Sequence, residues 1–223
     1  MQQRDALFQP STTSALAVNK VLKNTYMLLG ATLLFSAVMA AISMALNVGQ
    51  GASLVCSIAA LAILWIVIPR TANSEKGLLA VFAFTGLLGF GLGPLLNFYL
   101  QFANGEQIIA QALGGTALVF FGLSAYALTT KKDFSFLAGF LMVGMIVILI
   151  AAIANIFLAM PVMQLAVSSA VIFIMSLFIL FDTSRIIHGG ERNYILATVA
   201  LYLDIYNIFI HLLSLLTTLN GDD

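Results

Sequence analysis

Apolar residues run along this chain in long stretches, separated by short polar breaks. A stretch of roughly 20 apolar residues matches a helix that crosses the hydrocarbon core of a bilayer. Seven such stretches can be cut from the sequence: Thr25–Leu46, Ala52–Ile68, Gly77–Leu100, Gln107–Leu128, Phe134–Ala159, Val162–Ile187 and Tyr194–Leu219. The connections are short and carry turn formers, namely Asn47-Val-Gly-Gln-Gly51, Pro69, Asn104-Gly105, Met160-Pro161 and Gly189-Gly190. The pattern predicts an all-α membrane protein, a bundle of seven transmembrane helices over residues 25–219. A polar tail, 1–24, precedes it, with Ser14 as a candidate N-cap at the entry to the first helix, and a short tail, 220–223, follows.

Composition sharpens this reading. Of the 223 residues 61% are apolar and only 8% charged, against ~25% charged in an ordinary soluble domain. Nine basic residues balance nine acidic ones, which excludes nucleic acid as a partner, since a polyanion needs a concentrated basic face. The lone Cys56 cannot form an internal disulfide. The first 24 residues lack the early apolar run of a secretory signal and are expected to be a retained cytoplasmic tail.

The basic residues set the orientation, because cytoplasmic loops retain Lys and Arg. Arg4, Lys20 and Lys23 precede the first helix; Arg70 and Lys76 lie between the second and third; Lys131 and Lys132 between the fourth and fifth; Arg185 and Arg192 flank the last turn. All fall on one side, while the opposite loops hold only Glu106 and the chain ends on Asp222 and Asp223. The expectation is an N-terminus inside, a C-terminus outside and a multi-pass place in the bilayer.

Motifs of common soluble chemistry are missing. His188 and His211 stand apart with no Cys or Glu at ligand spacing beside both, so neither a metal site nor a cofactor is expected, nor catalysis. Two carboxylates matter more. Asp182 lies ~7 Å from the cytoplasmic end of the sixth helix and Asp204 ~15 Å up the seventh, and an Asp at the centre of a span costs ~2.5 to 3.5 kcal/mol to insert. The two helices are antiparallel neighbours, and the lean of side chains toward the N-terminus of their own helix brings the carboxylates closer. If they meet, one proton is shared between them, and the pair forms a proton-sensitive switch.

Asp182 has two candidate cationic partners. Arg185 is three residues on along the same helix, and Arg70, at the end of the second helix, would close the inner mouth as a latch. In the last helix Asp204, Asn207, His211, Ser214 and Thr218 share one face at spacings of three and four. A polar stripe should face protein or water, which places this helix in the centre of the bundle. The stripe serves either permeation or hydrogen-bonded adhesion between helices. Gly86, Gly89, Gly91 and Gly93, followed by Pro94, make the third helix thin and suited to close packing.

Leu180-Phe-Asp-Thr-Ser-Arg-Ile-Ile187 and Leu201-Tyr-Leu-Asp-Ile-Tyr-Asn-Ile-Phe209, set among seven apolar helices, resemble the Bax inhibitor-1 family over essentially the whole chain. More narrowly, Val21-Leu-Lys-Asn-Thr-Tyr26, Ala112-Leu-Gly-Gly-Thr-Ala-Leu-Val-Phe-Phe121, Lys131-Lys-Asp-Phe-Ser-Phe136 and Ile186-Ile-His-Gly-Gly-Glu191 are similar to a bacterial branch of it. The resemblance implies a seven-helix bundle with a central last helix in a bacterial inner membrane. For the bacterial branch it implies modulation of the membrane-bound ATP-dependent FtsH protease. For other members it implies a pH-sensitive calcium leak, in which Asp182 and Asp204 match the sensing aspartates and Arg70 stands one residue out of step with the latching arginine. The leading expectation is protease modulation through helix contacts and the N-terminal tail; the alternative is a leak for calcium or other cations. An aspartyl intramembrane protease ranks third, since no substrate-gating motif accompanies the carboxylates.

Overall fold

The computed structural model describes residues 12–220, all of whose regular structure is helical. Seven helices are long and apolar enough to cross a bilayer. They are α1 (Thr12–Ala45), α2 (Gln50–Thr71), α3 (Lys76–Tyr99), α4 (Gly105–Thr130), α5 (Leu137–Leu158), α6 (Pro161–Ile187) and α7 (Tyr194–Asn220). The tail assigned to 1–24 lies outside the described residues up to 11, as do Arg4, Asp222 and Asp223.

Two helix boundaries depart from the sequence pattern. α1 starts at Thr12, so the helix runs through the later part of the stretch read as tail, and Ser14 sits inside its first turn rather than capping it. No Gly or Pro interrupts residues 12–24, and Ala15, Leu16, Ala17 and Leu22 are good helix formers. α2 continues through Pro69 instead of stopping there. A proline lacks the N–H for the regular bond and crowds the preceding turn; here Ile63–Val67 widens into a π-turn, and Ile68 N–H reaches back to the carbonyl of Ile63. α5 ends on Ala159, whose φ of 49° is left-handed, because Pro161 holds Met160 extended (φ −91°, ψ 115°).

The last helix is central. α7 packs against α1, α3, α4 and α6, and none of its residues from 197 to 217 is exposed. Leu201, Tyr202, Ile208 and Leu213 are almost wholly enclosed. α2 and α5 are peripheral: α2 packs on α3 and α5 on α6, and Trp65 on the one and Phe157 on the other stand 77% and 83% exposed. With no hydrophobic drive between helices in lipid, close backbone approach and hydrogen bonds hold a bundle together. The glycines of α3 provide that approach. A Cβ on Gly89 would collide with the backbone of Ser36, one on Gly93 with Ser43, and one on Gly86 would stand 2.6 Å from Phe35 Cε1, all on α1. Gly91 faces the opposite way, toward Ser53 and Cys56 of α2, and Ser53 donates to its carbonyl at 2.5 Å.

Candidate functional site

The sixth and seventh helices bring Asp182 and Asp204 into the interior, 8% and 4% exposed. Both positions follow from helical phase. Asp182 shares the inward face of α6 with Val171, Met175 and Ile179, and Asp204 lies between Leu201 and Ile208 on a helix enclosed on all sides. The two helices that carry them pack directly on one another. Asp204 Oδ2 is buried with no hydrogen-bond partner among the described residues, an arrangement that costs on the order of 1–3 kcal/mol for a polar group and more for a charged one.

Arg185 is the cation beside Asp182. Its Nη1 lies 3.6 Å from Asp182 Oδ1 and its Nη2 3.5 Å from Glu191 Oε2, while its guanidinium sits over the Phe181 ring, 5.5 Å from the centroid. It thus ties the end of α6 to the turn before α7, with 41% of its side chain exposed. The structure does not bring Arg70 to Asp182. Arg70 Nη1 instead donates to the carbonyl of Ile66, one turn back on α2, at 3.0 Å. Arg70 stands just past Pro69 and the π-turn, and its guanidinium folds back along its own helix.

The polar stripe of α7 splits. His211 Nδ1 meets Ser168 Oγ of α6 at 3.2 Å. Asn207 Nδ2 donates to its own helix at Leu203 O (2.8 Å), and Thr218 Oγ1 donates to Ser214 O (2.9 Å). Asn207, His211 and Ser214 are half-buried and Thr218 is exposed. Of these four, His211 alone reaches another helix through an observed hydrogen bond. No three His, Cys, Asp or Glu side chains come together among the described residues.

Other polar side chains organise the interior and the basic end. Tyr202, fully buried, shares a 2.7 Å hydrogen bond with Ser36 of α1 and donates at 3.3 Å to the carbonyl of Thr85 of α3. Its ring stacks on Tyr206 and meets Phe84 edge-on. At the basic end, Asn193 caps α7 by accepting the N–H of Ile195 at 2.9 Å, while its Nδ2 donates to Ala72 O (3.0 Å) and Asn73 Oδ1 (2.9 Å) of the α2–α3 turn. Ser184 takes the N–H of Phe134 at 3.0 Å and donates to Lys132 O at 3.2 Å, pinning the α4–α5 loop to α6. His188 Nδ1 lies 2.9 Å from Ser184 O. The loop groups therefore form one stitched surface, with an open groove of about 850 Å³ between Asn73 and Glu75 on one wall and Gly190 to Asn193 on the other. An Asn just before an apolar helix is a recognisable cap signal, so Asn193 was within reach of sequence reasoning. Tyr202 was not, because its partners lie far away in the chain.

Comparison with known proteins gives this architecture a place. The family described as Inhibitor of apoptosis-promoting Bax1 matches residues 18–221. The Modulator of FtsH protease YccA of Escherichia coli K12 is 53% identical over 204 residues, 92% of each chain. The Inner membrane protein YccA of E. coli O6:H1 is equally similar over the same share. A Vibrio cholerae membrane protein is 51% identical over 213 residues, 96% of each chain. These relatives carry the names of a modulator and of membrane proteins, not of enzymes. The matches cover all seven spans, and the chain is a member of the Bax inhibitor-1 family, a multi-pass protein of the inner membrane.

Proposed function

We propose that this protein modulates an FtsH-type membrane-bound ATP-dependent protease, acting as a binding partner and not as an enzyme. The observation that carries the reading is the 53% identity, over 92% of both chains, to a relative named for that activity. The fold is compatible with it. Loops at the basic end are held in one arrangement by Asn193 and Ser184, and α2 and α5 present long apolar faces to the membrane, so the protein offers a partner both a rigid polar surface and helix faces. In this reading the basic end and the N-terminus are cytoplasmic, the C-terminus is outside, and the N-terminal tail is the segment the protease engages. Co-purification with the protease in mild detergent tests it. Association is expected, and deleting residues 1–20 should change the protein's own turnover; absence of association contradicts it.

A second reading rests on one specific observation: two buried carboxylates on adjacent, packed helices, one with an unpartnered buried oxygen. Two such groups repel when both ionise, and a shared proton removes the repulsion. Asp182 and Asp204 would then act as a pH sensor, with Arg185 as the cation at their mouth, controlling a leak of calcium or another cation. Calcium usually takes six to eight oxygen ligands, so water and backbone carbonyls would supply most of them. In proteoliposomes this predicts cation flux that varies with pH and whose pH dependence shifts in Asp204→Asn. Flux equal to that of empty vesicles between about pH 5 and 8, the range over which such switches operate, rules it out.

A further inference from the structure

We propose that the cleft between α1 and α3 at the basic end is a binding site for an anionic glycerophospholipid, with one acyl chain in the cleft and the phosphate at its mouth. The cleft has a volume of about 360 Å³ and is lined by Asn24, Met27, Leu28 and Ala31 of α1, Leu78 and Phe82 of α3, and Tyr194 at the start of α7. That volume falls within the ~300–1,000 Å³ of small-molecule sites.

The lining is graded along the membrane normal. On α1, positions 24, 27, 28 and 31 share one face, and the apolar ones, Met27, Leu28 and Ala31, lie deeper in the span. Toward the deep end Phe82 lines the cleft, its ring edge-on to that of Phe35 of α1 at 5.5 Å. From Asn24 to Ala31 the slot runs ~10 Å, the length of part of an acyl chain and too short for a whole one. At the shallow end two hydrogen-bonding side chains, Asn24 and Tyr194, replace the apolar wall. Tyr194 stands where aromatic side chains favour the headgroup level.

Charge completes the site. One helical turn beyond Asn24 and Met27, the same face of α1 carries Lys20 and Lys23, both exposed. Lys76 opens α3. The carboxylate nearby in sequence, Glu75, lines the loop groove on the other side of Tyr194 and not the cleft itself. Basic groups at the mouth of a cleft between transmembrane helices, on the side that carries the positive loops, suit a lipid phosphate. A second protein helix fits less well: the slot is short, and exposed lysines stand beyond its shallow end.

The test is titration of the purified, delipidated full chain with phosphatidylglycerol and with phosphatidylcholine, read by native mass spectrometry. Phosphatidylglycerol should occupy one preferred site, and the Lys20→Gln/Lys23→Gln double variant should weaken it about tenfold, toward the level of phosphatidylcholine. Lys131→Gln/Lys132→Gln, which removes equal charge from another loop of the same end, should leave it unchanged. Ala31→Phe, which fills the slot from an exposed position, should lower the occupancy of both lipids. Equal binding of the two lipids, equal loss in both lysine pairs, or full occupancy in Ala31→Phe would each overturn the site.

Discussion

Asn193 joins two tasks that its sequence position separates only by atom: Oδ1 caps α7, and Nδ2 holds the α2–α3 turn. Asn193→Asp keeps the acceptor and loses the donor, so it should retain the cap and release the turn; Asn193→Ala loses both. An N-cap is worth ~1 kcal/mol, and the lost stitch adds a similar amount, so thermal unfolding in detergent should rank wild type above Asp above Ala. At Asp133 the N–H of Ser135, 2.9 Å away, holds the carboxyl below the usual carboxylate range. A depressed carboxyl stabilises the folded state above its unfolded value of ~3.9, and the contribution fades as pH falls through the folded value. Asp133→Ala should therefore unfold at a lower temperature than wild type near neutral pH, and the gap should close in acid; a gap independent of pH contradicts this. Much of the residue-scale picture was legible. Asp182, Asp204 and Arg185 stood out because charge inside an apolar run is expensive, whereas Glu191 did not, since an exposed turn carboxylate looks unremarkable until Arg185 is seen reaching it.

Helix α3 shows how an element can be read from its glycines. Gly86, Gly89 and Gly93 turn toward α1, and Gly91 turns toward α2, so one helix approaches two neighbours with almost no side chain between. Gly89→Ala places a methyl group against the Ser36 backbone, which cannot move aside as a flexible side chain would, and overpacking of this kind costs ~1–3 kcal/mol. Gly114→Ala on α4 adds a methyl group with nothing within 4 Å and should be neutral or slightly stabilising, since alanine favours the helix. A comparison of the two variants' melting temperatures checks the assignment. The seven spans were legible because burial in lipid leaves long apolar runs. The starts of α1 and the passage of α2 through Pro69 were not, since a polar helix end looks like a tail and a π-turn has no sequence signature.

At the scale of the molecule, the central place of α7 joins the observations. It carries Asp204, the Tyr202 contacts to α1 and α3, and the cap that holds the α2–α3 turn. One helix thus bears on the loop surface at its start and on the buried Asp204 in its middle. The polar stripe predicted this centrality, although Asn207 and Thr218 bond within α7 and only His211 bonds across to another helix, at Ser168. The proposed protease modulation rests on kinship alone, because no residue pattern in an apolar bundle names its partner. The most direct measurement is the rate at which purified FtsH-type protease degrades a membrane-embedded substrate in proteoliposomes, with and without the full chain. The account predicts slower degradation as the chain is added, with the chain recovered in complex with the protease. An unchanged rate, with no complex recovered, would contradict it.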